Sequence, residues 1–348
     1  MRDVIGQRRL LETLGERALR GDVAHAYGLS GPRSIGKRTV AVRLAQTLNC
    51  ATEPAVPGGC GRCRSCQLIE RGAHPDVLVV SRIEPKRDIS IEQVRAMQAD
   101  LSLRPLEGRW RVASVDDAAD LGEHAEVALL KTLEEPPRHA MLLLLTPSPE
   151  RLLHTVRSRI QALPFRLVPT AEIAAALAKR FGKGAEKHAA AGAGRPGLAI
   201  TLASEETARS ERKALENELF KLMESGLTDR FAWAADLADD PDTRRRMLEI
   251  ERRMVEWSEL LRDAALVSQQ VTDRAMRPER AEDVRRIAGA VGSRELVDTA
   301  SLTVRLARDV TEWSANARAL LELFALKLPY YAAAGEVAGR SRHRAAVL

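Results

Sequence analysis

Aromatic side chains are scarce in this sequence, making up 3% of its 348 residues. Proteins that bind single-stranded nucleic acid without sequence preference stack the bases on aromatic rings, so this scarcity argues against such a platform. The sequence also lacks an apolar run close to the 18 residues of a membrane-spanning helix. Its densest apolar run, residues 141–145, has the length of a strand. No membrane contact is therefore expected.

The first residues, MRDVI, lack the apolar stretch of a secretory signal peptide, and we expect a cytoplasmic protein. Cysteine is rare as well: there are four, all between residues 50 and 66. The cytoplasm keeps thiols reduced, so these cysteines are not expected to form disulfides. The net charge of +6 and the pI of about 9.3 permit an acidic partner such as nucleic acid. Charge that is spread along a chain, however, is usually solvated surface.

The length of the chain favours two or three domains over a single core. Strand and helix patterns alternate up to about residue 166, which indicates an α/β domain whose parallel sheet has helices on both faces. The pattern predicts that a helix over residues 150–159 closes this domain. Beyond it, only helix patterns occur, and the patterns of the last part have charged outer faces. We predict a small helical domain at 167–205, an all-α domain at 206–334 and a basic, flexible tail at 335–348.

The segment GPRSIGK, residues 31–37, follows an apolar strand pattern and begins a helix. Gly31 and Gly36 allow backbone N–H groups to face an anion, and Lys37 can reach the terminal phosphates of a nucleotide. The pattern therefore predicts a phosphate-binding loop.

The residue after the loop lysine weakens this prediction for ATP hydrolysis. A serine or threonine there ligates magnesium in most such loops, but this sequence has Arg38. The nearest hydroxyl, on Thr39, lies about 100° further round the helix and should not reach the same ion. The sequence therefore predicts a nucleotide-binding fold and leaves open whether ATP and Mg²⁺ are bound.

Two carboxylates, Asp116 and Asp117, end the strand pattern of residues 110–117. Beside a phosphate-binding loop, the first acid would hold magnesium and the second would polarise the attacking water. Taken alone, an Asp-Asp pair at a strand end is more often a turn or a helix cap. Thr146 ends the next strand pattern, where its hydroxyl could sense a γ-phosphate.

The four cysteines lie in a segment rich in glycine and proline, with spacings that suit a metal site. They are Cys50, Cys60, Cys63 and Cys66. Four thiolates supply a closed tetrahedral shell for Zn²⁺, whereas a catalytic zinc keeps a position open for water. The pattern therefore predicts a structural zinc module at residues 50–66. The alternative, four reduced thiols without a metal, fits the clustering poorly.

Several sequence blocks together resemble the clamp-loader branch of the AAA+ ATPases. The resemblance covers most of residues 4–159, and the second half resembles the family only in being helical. The blocks are Ile5-Gly6-Gln7, His25-Ala26-Tyr27, residues 31–37, the four cysteines, residues 110–117, residues 129–137 and Arg157-Ser158-Arg159. The resemblance implies an AAA+ domain with a zinc-binding insertion, followed by the small helical lid and the helical collar of that family.

The resemblance also bears on hydrolysis. The ATPase subunits of the family, named γ or τ, keep a hydroxyl after the loop lysine, an Asp-Glu pair and a lid arginine at the nucleotide. This sequence has Arg38, Asp117 and Leu198 at those places, although Arg195 lies nearby. The resemblance therefore favours a stator, a rigid subunit with weak or absent hydrolysis, within the loader of DNA polymerase III. Such a subunit is a component of the holoenzyme and is not itself the polymerase.

Clamp loaders use the arginine of a Ser-Arg-Cys motif as an arginine finger toward the γ-phosphate of a neighbouring subunit. The motif reads Ser158-Arg159-Ile160 here, so the resemblance implies this role for Arg159. Without the motif, an arginine on such a helix would be taken for a solvated charge. The implied partners are γ/τ ATPases and the δ clamp-opening subunit, and through them the sliding clamp and primed DNA at the replisome.

Two other functions remain open at this point. The chain could be an autonomous ATPase motor of the γ/τ type, for which magnesium-dependent turnover by the isolated chain would be the sign. It could also be a zinc-module protein that binds duplex DNA directly, an interpretation supported only by the basic pI.

Overall fold

The computed structural model describes residues 4–53, 55–83, 88–271, 277–312 and 316–331. The chain divides into two compact units, residues 1–203 and 204–348. Each unit has its own hydrophobic core. The predicted tail at residues 335–348 lies outside the described residues.

The first unit contains a parallel sheet of five strands in the spatial order β2-β3-β4-β1-β5. The strands are β1 (Ala26–Ser30), β2 (Val77–Val80), β3 (Arg111–Val115), β4 (Ala140–Thr146) and β5 (Gln161–Pro164). Strand β1 has partners on both sides, and its last residue, Ser30, lies beside Thr146 of β4. The loop that follows β1 therefore begins at an interior position of the sheet's carboxyl edge.

Helices cover both faces of this sheet. The helices of the α/β region are α1 (Arg8–Leu19), α2 (Lys37–Asn49), α3 (Arg64–Glu70), α4 (Ile91–Ser102), α5 (Glu123–Glu134) and α6 (His154–Arg157). In β4, Met141, Leu143 and Leu145 join the core formed with α1 and α2, whereas Leu142 and Leu144 join the core formed with α4 and α5. All residues of β4 are buried, as expected for a strand covered on both faces. The α/β parallel sheet predicted from the sequence is confirmed.

The helix predicted over residues 150–159 is wrong in its extent. A 3-10 turn spans Pro149–Arg151, Leu152 is extended, and α6 has only four residues. Leu152 and Val156 are both buried in the core under α5, so packing decides this chain path. The N–H of Leu153 donates to the carboxylate of buried Glu126 at 2.7 Å, which satisfies a donor at the start of α6.

Two elements were not predicted. Strand β5 follows α6 and pairs with β1, but only Leu163 of its four residues is buried, so its sequence carries almost no hydrophobic pattern. Helix α3 begins at Arg64, within the cysteine segment where glycine and proline indicated turns, and it ends at Glu70 beyond that segment.

Three helices form the end of the first unit: α7 (Thr170–Phe181), α8 (His188–Ala191) and α9 (Pro196–Ser204). Ile173, Leu177 and Ala199 belong to the same core as α1 and α2. A small helical domain is predicted at 167–205; in the structure the helices of this region pack onto the α/β core within one compact unit.

The second unit is helical throughout its described residues. Its helices are α10 (Glu206–Glu224), α11 (Leu227–Ala238), α12 (Thr243–Ser268), α13 (Ala281–Ala290), α14 (Ser293–Glu312) and α15 (Ala317–Lys327). The core is built around Trp257, whose ring lies 5.5 Å from Trp233 and 5.5 Å from Phe324. The indole N–H of Trp257 donates to the carbonyl of Leu215 at 2.7 Å. Across the part of the chain that the structure describes, no helix has the length and apolarity needed to cross a membrane.

A buried ionic cluster joins α10 and α12 to the segment before α13. The guanidinium of fully buried Arg277 contacts Glu216 at 3.0 Å, Glu256 at 2.5 Å and Glu259 at 3.3 Å. Burial alone would raise the pKa of Glu256, but Arg277 and Arg212 hold it below its ordinary value. These charges lie inside the unit and not on the outer helix faces where the sequence pattern placed charge.

Candidate nucleotide and metal sites

The predicted phosphate-binding loop forms the connection between β1 and α2. Its backbone has positive φ angles at Gly31 (143°), Ser34 (61°) and Gly36 (105°). Glycine adopts such angles without strain, and Ser34 is the exception. Gly36 is the N-cap of α2, and a Cβ added to it would meet no atom within 4 Å. The space before the helix is therefore open, in the arrangement that binds phosphate through backbone N–H groups.

Lys37 points back into this loop. Its Nζ donates to the carbonyl of Gly31 at 2.6 Å and to that of Pro32 at 2.9 Å, and the side chain is buried. Burial lowers the pKa of Lys37 to about 8, partly opposed by the charge of Asp117. The ammonium is still mostly charged at pH 7 and lies where a phosphate would enter.

The two acids after β3 are both paired with arginines of the loop and of α2. Arg33 donates to Asp117 at 3.0 Å, and a guanidinium nitrogen of Arg38 lies 3.4 Å from a carboxylate oxygen of Asp116. Burial raises the pKa of Asp116, and Arg38 opposes that shift. Asp117 has a positive φ of 51° and begins a 3-10 turn. Arg33 was not among the predicted site residues, because a position between the loop glycines carries no fixed side-chain role.

This arrangement does not fit the magnesium site of a typical phosphate-binding loop. Such a site needs a hydroxyl after the lysine and a strand-end carboxylate, since magnesium takes oxygen ligands. Here the first position is Arg38, and its guanidinium faces the carboxylate of Asp116. Thr39 is the third residue of α2 and is only partly exposed. A positive charge from the protein lies beside the acid that would hold the ion.

Two backbone hydrogen bonds join the phosphate-binding loop to the end of β4 and to the start of α9. Thr146 is buried; its carbonyl accepts from the N–H of Gly31 at 3.3 Å, and its hydroxyl accepts from the N–H of Ser148 at 3.1 Å. At the start of α9, the N–H of Gly197 donates to the carbonyl of Ser34 at 2.8 Å. A Cβ at Gly197 would lie 2.7 Å from that oxygen, so only glycine allows this approach. The sequence did not predict this contact of the small helical region with the loop.

The four predicted metal ligands are brought together. The sulfur atoms of Cys50, Cys60, Cys63 and Cys66 all lie within 4.8 Å of one another. Zn–S bonds of about 2.3 Å in a tetrahedron place the sulfurs roughly 3.8 Å apart, so a small contraction would close the shell. The N–H groups of Cys60 and Cys63 donate to the sulfurs of Cys50 and Cys60, at 3.4 and 3.3 Å. This donor set can hold a metal ion.

The protonation of the cysteines differs from one to the next. The hydroxyl of Thr52 donates to the sulfur of Cys60 and lowers the pKa of this thiol to about 5. Burial raises the pKa of Cys66 to about 12. A divalent cation would compensate the charge of the buried thiolate.

The cysteine segment is anchored to the far end of α2. The side-chain amide of Gln46 donates to the carbonyl of Cys66 at 2.8 Å and to Glu70 at 3.0 Å. Arg43 pairs with the same Glu70. The hydroxyl of Thr47 accepts from the N–H of Gly58 at 2.7 Å. Because α2 begins at Lys37, one helix connects the phosphate-binding loop with the metal cluster.

The predicted arginine finger lies just after α6, with its side chain 37% exposed. The guanidinium of Arg159 pairs with exposed Glu134 at 2.9 Å and donates to the carbonyl of Thr155 at 3.0 Å. Arg157, two residues earlier, is also exposed. The structure describes this chain alone, so the role of Arg159 as an arginine finger stays a prediction.

A parallel sheet with a phosphate-binding-loop pattern after β1 and two acids after β3 gives the first unit a P-loop-like α/β fold. Residues 6–169, just under half of the chain, match the family described as DNA polymerase III, delta subunit. The resemblance to the clamp-loader family is confirmed for this part of the chain.

Known proteins align with the same region. The delta′ subunit of DNA polymerase III from Pseudomonas aeruginosa is 41% identical over 160 residues, which are 45% of this chain and 48% of that protein. The tau subunit from Escherichia coli is 39% identical over 158 residues, 45% of this chain and 24% of tau. A solved gamma-subunit-related protein from Thermotoga maritima aligns over 91% of this chain and 98% of its own, with 18% identity and a TM-score of 0.44. The chain thus spans about half the length of the delta′ relative, and less of tau.

Proposed function

We propose that this chain is a delta′-type subunit of the DNA polymerase III clamp loader and acts there as a stator. In this role it assembles with γ/τ ATPase subunits and the δ clamp opener, and it helps to load the sliding clamp onto primed DNA. The observation that carries the proposal is the pairing of Arg38 with Asp116, because it puts a guanidinium at the acid on which magnesium-dependent hydrolysis relies. The proposed setting is the cytoplasmic replisome.

One further observation supports a stator, and a second assigns a role to the metal site. Arg159 lies on an exposed edge with a weak, solvent-exposed partner, so a neighbouring subunit can recruit it. The cysteine cluster is suited to Zn²⁺ with four protein ligands, and such a closed shell stabilises a fold and leaves no position for catalysis. We assign zinc here a structural role.

The alternative is a γ/τ-type ATPase motor. The intact glycines, Lys37 and the 39% identity to tau favour it. The substitutions at the magnesium position and at Leu198 argue against it.

Assembly tests the proposal. The purified chain is mixed with γ/τ and δ subunits, and the product is sized by chromatography coupled to light scattering. We expect a stable complex that contains all three proteins. A chain that elutes alone under conditions in which γ/τ and δ associate would refute the proposal.

A further inference from the structure

The nucleotide site of this chain carries an unusual balance of charge. Three cations, Arg33, Lys37 and Arg38, face two carboxylates, Asp116 and Asp117. A typical phosphate-binding loop has one lysine against two acids and becomes net positive only when Mg²⁺ binds. Here Arg38 places a positive charge of the protein beside Asp116, the acid that would hold the ion.

The position of Arg38 matters as much as its charge. It is the second residue of α2, directly after Lys37, and its guanidinium lies 3.4 Å from Asp116. This is the region between the helix start and the strand-end acid, where magnesium would bridge protein and phosphate. The side chain is 72% exposed and has five N–H donors. It can therefore keep Asp116 on one nitrogen and offer the others to a phosphate oxygen.

The remaining parts of a phosphate site are present. The helix start is open at Gly36, and Lys37 donates to two loop carbonyls, which a phosphate can replace. The guanidinium of Arg38 is exposed, although the Asp116 carboxylate that it contacts is only 23% exposed. Arg38 can therefore contact a phosphate from solvent without giving up its pair with Asp116.

We propose that this chain binds the diphosphate or triphosphate of a nucleotide without magnesium, with Arg38 in place of the metal ion. The chain holds the bound nucleotide and does not hydrolyse it. A guanidinium cannot replace the coordination by which magnesium neutralises the charge that develops on the phosphates during hydrolysis. This inference extends the proposed function, in which the chain is a stator, but the stator role does not depend on it.

The test measures binding of ADP and ATP to the isolated full chain by calorimetry, once in excess EDTA and once in MgCl₂. We expect dissociation constants that agree within about threefold, because Arg38 already places positive charge where the ion would lie. Arg38→Thr, which restores the usual hydroxyl, should weaken binding in EDTA by about tenfold or more, the effect of losing a charge-assisted hydrogen bond. Magnesium should then restore binding to this variant.

Arg9→Thr is a matched control, since Arg9 is the exposed second residue of α1 and lies outside the site. It should bind nucleotide as the unchanged chain does, and thermal melting should show that both variants are folded. Arg38→Lys keeps a charge but loses the planar fork, and it should bind in EDTA with intermediate affinity. Binding by the unchanged chain that requires magnesium, or no binding in either buffer, would overturn the inference while leaving the assembly experiment unaffected.

Discussion

Arg159 shows how a single side chain can be poised for a partner. Its ion pair with Glu134 is solvent-exposed on both sides, and such pairs typically contribute about 0–1 kcal/mol. A phosphate from a neighbouring subunit would compete easily for the guanidinium. An arginine supplied in trans stabilises charge that develops in the transition state, which is worth roughly 10³-fold or more in turnover.

We predict that Arg159→Ala leaves the chain folded and the reconstituted complex assembled but lowers ATP hydrolysis by that complex. The affected ATP site is the one on the neighbouring subunit. The rate of hydrolysis per complex should therefore fall by nearly the amount that this one site contributes. Steady-state hydrolysis per complex, with clamp and primed DNA present, is the measurement.

Arg157→Ala is the matched control, because Arg157 is exposed on the same short helix. It should depress hydrolysis less. If complexes with Arg159→Ala assemble and hydrolyse ATP at the unchanged rate, the finger assignment is wrong.

Single residues differed in how far the sequence could place them. The glycines, Lys37 and the acids after β3 were predictable, because motif spacing fixes their roles. The partners of those acids were not, because whether an exposed arginine turns toward Asp116 or toward solvent depends on neighbours from distant parts of the chain. The same holds for Gly197, whose contact with Ser34 joins residues more than 160 positions apart.

At the scale of elements, the cysteine segment is the part in which a ligand and local folding are coupled. Its sulfurs converge, and α3 is fixed to α2 through Gln46, Cys66 and Glu70. Metal binding to such a site contributes directly to the folding of the segment. None of the four cysteines belongs to the two hydrophobic clusters that pack against the sheet.

We predict that Cys63→Ser releases zinc and loosens residues 50–66 while the sheet stays folded. Zinc content per chain, measured by mass spectrometry on protein purified without chelator, should fall from about one to near zero, since structural sites of this class need four ligands. Hydrogen exchange should rise in the segment and stay unchanged in β1 and β4. Arg62→Ser, at the exposed neighbouring position, should keep its zinc. Unchanged protein that contains no zinc would rule out the metal assignment.

Elements with strong periodicity were predictable, and elements defined by packing were not. The strands β2, β3 and β4 carry apolar runs that the sequence shows directly. Strand β5 exists because its backbone completes the edge of β1, a requirement of pairing that its own residues do not encode. The break between residues 150 and 159 likewise follows from burial of Leu152 and from the hydrogen bond to Glu126.

At the scale of the whole chain, the prediction concerns turnover. The isolated protein should hydrolyse ATP more slowly than about 1 s⁻¹, below the ordinary enzyme range, because the ligand shell for magnesium is incomplete. A coupled assay with magnesium in excess measures this rate. Faster magnesium-dependent turnover, abolished by Lys37→Ala, would instead identify a γ/τ-type motor.

The division into an α/β part and a helical part was evident from the patterns of the chain, but the interior of the second unit was not. Charged residues in helix patterns are normally read as solvated. Arg277 is fully buried among carboxylates, and removal of one partner from such a cluster typically costs about 3–5 kcal/mol. Sequence periodicity cannot distinguish an outward charge from an inward one that is neutralised by another helix.

The strand order also determines when each part of the first unit can fold during synthesis on the ribosome. Strand β1 is made first, but its sheet partners are β4 and β5. It cannot pair on both sides until the chain has been made up to Pro164. The cysteine cluster and its anchors on α2 are complete by Glu70. At a synthesis rate of about 5–20 residues per second, the residues between Glu70 and Pro164 take roughly 5–20 s to be made. A nascent chain therefore has several seconds in which a metal ion can organise the segment while the central strand is still unpaired.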